Sequence, residues 1–141
     1  MALQGGSATQ RVGVSEIFMG GQAGASAPTN MVVARDSTVG VTLTALTTGE
    51  SDAPLDPASA ALATPVVPFT QSTTKPQRSA SLSLLMLPFN AFGGIVRWVA
   101  YDQSEQLWML GNVASFGELS LSAFTGGTPG AIGAHIIYEP L

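Results

Sequence analysis

The 141 residues are the length of one domain, and 45% of them are apolar while only 10% are charged, against roughly 25% in an ordinary soluble protein. The five basic residues, Arg11, Arg35, Lys75, Arg78 and Arg97, are scattered and outnumbered by nine acidic ones, so no footprint for direct nucleic-acid binding exists. Cysteine is absent, which excludes a disulfide scaffold and thiolate metal sites, and neither a signal peptide nor a membrane-length apolar run is present, so a soluble chain without membrane contact is expected.

Residues 1 to 10 are small and polar without periodicity and read as an extended amino-terminal arm. A single β-sandwich domain is expected over residues 11 to 141. Val12 and Val14 alternate with Gly13 and Ser15 in a strand from Arg11 to Met19, and Met31-Val32-Val33 forms a short strand from Asn30 to Ala34. Val39, Val41, Leu43 and Ala45 then alternate with Gly40, Thr42 and Thr44, the pattern of a strand with one buried and one hydroxylated face.

The stretch 49 to 76 is rich in Pro, Ala and Ser and reads as a long irregular connection. Within it, Asp56 as N-cap, Pro57 at the first helical position and Pro65 beyond the end predict one or two helical turns over Asp56 to Ala63. Pro65, Pro68 and Pro76 make Val66-Val67 and Phe69 poor material for a central strand. The segment is either a contact loop or a plain crossover between sheets.

Strands resume from Arg78 to Leu87, where Ala80, Leu82, Leu84 and Met86 alternate with Ser79, Ser81 and Ser83 until Leu85 and Leu87 break the polar face and predict burial of both faces in the second half. Further strands follow over Ile95 to Tyr101, Gln106 to Leu110, Gly117 to Thr125 and Ala131 to Tyr138. The polar quartet Asp102-Gln103-Ser104-Glu105 predicts the turn of a hairpin. An even loop sets Trp98 opposite Met109 and Trp108 opposite Val99, with the indoles on opposite faces, whereas a three-residue loop would pair the two tryptophans. With the even loop Trp98 faces the core, and Arg97, Val99 and Trp108 share the face that meets water or a partner. About eight strands with turn signals between them predict an all-β fold, an antiparallel β-sandwich, with a jelly-roll-like order ranked first and an immunoglobulin-like one second.

Chemistry is hard to place on this scaffold. His135 is the one histidine and has no Gly-x-Ser-x-Gly or metal-ligand spacing around it. Asp102 and Glu105 share a loop, and Glu118 and Glu139 lie near strand ends, so none reads as half of a carboxylate pair across a cleft. The glycine pairs at 5–6, 20–21, 93–94 and 126–127 are turns rather than phosphate loops. No catalytic, metal or cofactor site is expected.

The run Arg97-Trp98-Val99-Ala100-Tyr101-Asp102 through Trp108-Met109-Leu110-Gly111, with the closing Gly133-Ala134-His135-Ile136-Ile137-Tyr138-Glu139-Pro140-Leu141, resembles the small jelly-roll cement, or decoration, proteins of tailed bacteriophage heads. The likeness is one of general character over most of the chain and rests on no defining motif. It implies a non-enzymatic protein on the outer surface of the capsid, made in the host cytoplasm. There it binds the major capsid protein and forms a symmetric homo-oligomer, a dimer before a trimer. Leu3, Gln4, Arg11, Tyr101 and Trp108 are the candidate partner contacts. A carbohydrate- or receptor-binding module, with Tyr101 and Trp108 stacking on a ligand, is the alternative.

Overall fold

β-branched and apolar residues spaced by small hydroxylated ones favour a pleated, half-buried chain, and strands dominate. The structure, a computed structural model, describes residues 1–38, 41–45, 53–60, 66–74, 77–111, 117–124 and 130–141. Ten strands run through them: β1 (Ala2–Gln4), β2 (Arg11–Gly21), β3 (Pro28–Thr38), β4 (Val41–Ala45), β5 (Val67–Thr74), β6 (Gln77–Asn90), β7 (Ile95–Val99), β8 (Leu107–Leu110), β9 (Glu118–Ala123) and β10 (Ile132–Pro140). One 3-10 turn, Gln103–Glu105, lies between β7 and β8.

Two antiparallel sheets pack as a sandwich, as expected from the sequence. The larger has the order β4-β5-β1-β9-β3-β6, and the smaller has β10-β2-β7, with β8 also pairing β2. The core gathers Leu3, Met31, Val33, Leu119 and Leu121 from the first sheet and Val12, Val14, Ile17, Met19 and Met109 from the second. Each such side chain contributes about 1.5–3 kcal/mol relative to leaving it in water. Arg35 reaches between the sheets, its Nε donating to the Trp108 carbonyl at 2.6 Å.

The amino-terminal segment is not a free arm. Ala2, Leu3 and Gln4 form β1, flanked by β5 on one side and β9 on the other, with Leu3 opposite Pro68 and Leu119. Leu3 is fully buried, so a segment expected at the surface is part of the sheet interior. The turn after it folds against Gly111, whose carbonyl accepts from Gly5 N–H at 3.2 Å. Gly111 has φ 63°, and a Cβ there would meet the Ala8 carbonyl oxygen at 2.5 Å, so glycine is required on both counts.

The stretch read as an irregular connection contains β5, which bridges β4 and β1 despite Pro68. Pro68 lies just past the last described pair with β4, Ala45 opposite Phe69, where its missing N–H breaks no described pair on that side. The expected helix is a turn over its described part: Asp56 Oδ1 accepts from Ala58 N–H at 2.9 Å, and its carbonyl accepts from Ser59 N–H. Residues 61–63 of that helix, and 39–40 of the strand expected before β4, lie outside the described residues.

The largest correction concerns the hairpin. Both β7 and β8 run antiparallel to β2, so they point the same way and lie end to end rather than side by side. Between the pairs Val99–Glu16 and Leu107–Val14, β2 advances two residues while the other side advances eight. The polar quartet is therefore an outward excursion from one interrupted strand. Asp102 Oδ1 accepts from both Ser104 N–H at 2.8 Å and Ser104 Oγ at 2.6 Å, which closes a local turn without reversing the chain.

Both faces of β3 are buried, and this places a carboxylate inside the protein. Asp36 has no exposure, and its Oδ1 accepts from Ser120 Oγ at 2.8 Å. Burial pushes its carboxyl above the usual range, against the hydrogen bond from Ser120, the neighbouring Glu118 and the charge of Arg78. A carboxyl whose folded pKa exceeds its unfolded value contributes stability that is full below the unfolded pKa and lost as pH rises through the folded one. Thermal melts across that window should show the native protein losing stability as pH rises. Asp36→Asn should flatten this trend; an unchanged trend would assign it to other groups.

Candidate partner-binding face

Along β2 the inward residues are Val12, Val14, Ile17 and Met19, all fully buried. Their spacing changes between Val14 and Ile17 because the pairing with β10 slips there: Ile137 opposes Glu16 but Tyr138 opposes Val14, leaving Ser15 as the extra residue of a bulge. The bulge keeps apolar residues inward on both halves of a long strand. It also sets Glu16 and Phe18 outward on one half and Gly13 and Arg11 outward on the other.

Across that outer face the ladder builds rows. His135, Phe18 and Arg97 form one, Ile137, Glu16 and Val99 the next, then Glu139, Gly13 and Trp108, with Arg11 and Leu110 at the end. The Phe18 and His135 rings stack with centroids 5.2 Å apart. Arg97 grips Glu16 with two bonds, Nε to Oε1 at 3.0 Å and Nη2 to Oε2 at 2.8 Å, while His135 Nε2 lies 3.3 Å from Oε1. The Arg97 hydrogen bond holds the Glu16 carboxyl below its usual range, and Glu16 in turn raises Arg97. The charges at the centre of the face therefore satisfy one another, and Ile95, Val99 and Leu110 around them are exposed.

Trp108 lies on this face and Trp98 packs against the core, so the indoles do take opposite sides, through collinear strands rather than a hairpin. The Trp108 ring covers Gly13: a Cβ at position 13 would collide with Gln106 Oε1 and approach the indole Cη2 at 2.8 Å. The Arg11 guanidinium stands over the ring at 4.8 Å, and the indole Nε1 donates to the Gln103 carbonyl at 3.3 Å. A sugar stacking on the side of Trp108 that Arg11 covers would first have to displace Arg11. Nothing matches the chain among protein-family models, curated proteins or solved structures.

Tyr101 stands at the start of the excursion, 90% exposed. Its own N–H donates to Glu105 Oε2 at 3.0 Å, and with the Asp102 turn and the Trp108–Gln103 bond this buttresses the loop from within. A bulky aromatic on a self-supported loop would lose little conformational freedom on contact with another surface. Of the five residues read as partner contacts, the structure brings Arg11 and Trp108 together, links Tyr101 to them through the loop, and removes Leu3 to the interior; Gln4 is half-buried in β1. Glu16, at the centre of the face, was not among them. Its signal is the alternation after Val14, which a one-residue bulge conceals.

No group of three or more His, Asp or Glu side chains is arranged to hold a metal among the described residues. No helix among them is long and apolar enough to cross a membrane.

Proposed function

We propose that the protein is a structural component of a bacteriophage virion. It binds the outside of the icosahedral capsid and cements neighbouring major capsid protein subunits around the packaged DNA. Three features support this reading: the resemblance of the 97–111 and 133–141 runs to jelly-roll cement proteins, the β-sandwich, and above all the outer face of the smaller sheet. That face combines exposed aliphatic residues with a central Arg97–Glu16 pair whose two charges satisfy each other, so covering the centre removes apolar surface from water without stranding either of those ions. In this reading the protein catalyses nothing and needs no cofactor.

Repetition makes modest contacts sufficient. A lattice that offers the same site many times, to an oligomer engaging more than one at once, converts weak individual docking into durable attachment. The test uses DNA-filled heads lacking the protein, heated with and without it. Added protein is expected to raise the temperature of DNA release. Tyr101→Ala, which truncates the loop contact, is expected to reduce that gain. DNA release at an unchanged temperature, with the folded protein left in solution, would refute the proposal.

A further inference from the structure

The smaller sheet ends at β7 on one side. Among the described residues β7 pairs with β2 alone. The bonds that flank it, Gly21 N–H to the Gly94 carbonyl and Ala100 N–H to the Ser15 carbonyl, both at 2.8 Å, fix which residues turn their backbone toward β2. Because strand residues alternate, Val96 and Trp98 also turn that way, and Ile95, Arg97 and Val99 direct N–H and C=O outward. The same three residues are open to solvent, Ile95 at 71% and Val99 at 48%. The edge holds neither lysine nor proline, its register against β2 is unbroken, and its one charge, Arg97, is already engaged by Glu16.

We propose that β7 pairs with β7 of a second copy of this chain, antiparallel, about a two-fold axis passing through Arg97. That register sets Ile95 opposite the partner's Val99 on the outer face and Val96 opposite the partner's Trp98 on the inner one. All three outward residues bond, giving about six N–H···O=C bonds across the axis. The two arginines meet at the centre, each carrying the Glu16 carboxylate it already grips, so cation and anion alternate across the junction instead of like charges facing alone. The ends agree with the middle. Continuing the register places Tyr101 opposite the partner's Gly93, beside Phe92, which is 58% exposed. Two exposed aromatics at opposite ends of one strand are thereby brought together twice by a single symmetry operation. The pairing joins two outer faces into one surface, and it holds whether or not that surface binds a capsid.

The chain has no cysteine, so one introduced thiol reports on the axis directly. Arg97→Cys puts two sulfurs on residues whose Cα atoms lie about 5.5 Å apart in a bonded antiparallel pair, within disulfide reach. Mild oxidation is expected to convert this variant largely to a covalent dimer. Val99→Cys, which faces Ile95 of the partner, should remain uncrosslinked. Val99→Pro removes an outward N–H that makes no bond to β2, so circular dichroism should keep the β spectrum while the mass in solution falls from two chains to one. A native protein that is monomeric by light scattering, or a Val99→Cys that crosslinks while Arg97→Cys does not, would overturn the proposal.

Discussion

Replacing Leu3 by alanine is expected to cost about 2–5 kcal/mol of folding stability, seen as a lower denaturant midpoint with little change of slope. Leu3 has no solvent exposure and belongs to the core cluster with Leu119 and Val66. Its strand carries more than its own packing. Among the described residues β1 is the strand that joins β4 and β5 to β9, β3 and β6, so removing residues 1–4 divides the larger sheet. That deletion is expected to destabilise the protein more than Leu3→Ala does. The outcome separates two roles for the amino terminus. A strand of the sheet lowers stability when removed, whereas a surface arm would leave the midpoint unchanged and weaken attachment alone.

Gly13→Ala is the second substitution with a large expected effect. The added methyl falls where the Trp108 indole and the Gln106 side chain already sit. The backbone of β2 is held on both sides, by β10 and by β8, so the indole must move. Overpacking of this kind costs about 1–3 kcal/mol, and here it also parts Trp108 from Arg11 and from the Gln103 carbonyl that anchors the excursion. In a Trp98→Phe background Trp108 is the one fluorophore of its kind, and its emission should shift to the red as the ring enters water. An unchanged spectrum and midpoint would mean that the ring does not rest on Gly13.

Much of the sandwich was legible in the chain because alternation reports directly on which side of a strand is buried. The inward residues of β2 follow it, Val12 and Val14 before the bulge and Ile17 and Met19 after it, whereas β3 and β9 are buried on both faces over Met31 to Ala34 and Glu118 to Leu121. What alternation does not carry is the partner of each strand. The segment from Ile95 to Leu110 has every local mark of a hairpin, yet a polar quartet that turns on itself through Asp102 and Ser104 looks the same whether the chain reverses or rejoins its line. Only pairing with β2 decides, and that is a contact between residues far apart in sequence. Leu3 was misplaced for a related reason. Three residues between Met1 and the run Gly5-Gly6-Ser7 show no period, and their place in the sheet comes from pairing with β5 and β9. The outer face was legible in part: Arg97, Val99 and Trp108 do share a side. Glu16 joins them because a bulge at Ser15 resets the alternation, and a bulge leaves no reliable mark in sequence.

The docking role is tested most directly by mixing purified protein with preformed capsid shells that lack it and weighing the particles. Uptake is expected to saturate at a fixed number of copies per shell. Leu110→Asp, which places a charge on the outer face away from β7, is expected to stay folded and fail to bind. Saturable binding to a glycan with no uptake onto shells, or full uptake of Leu110→Asp, would contradict it.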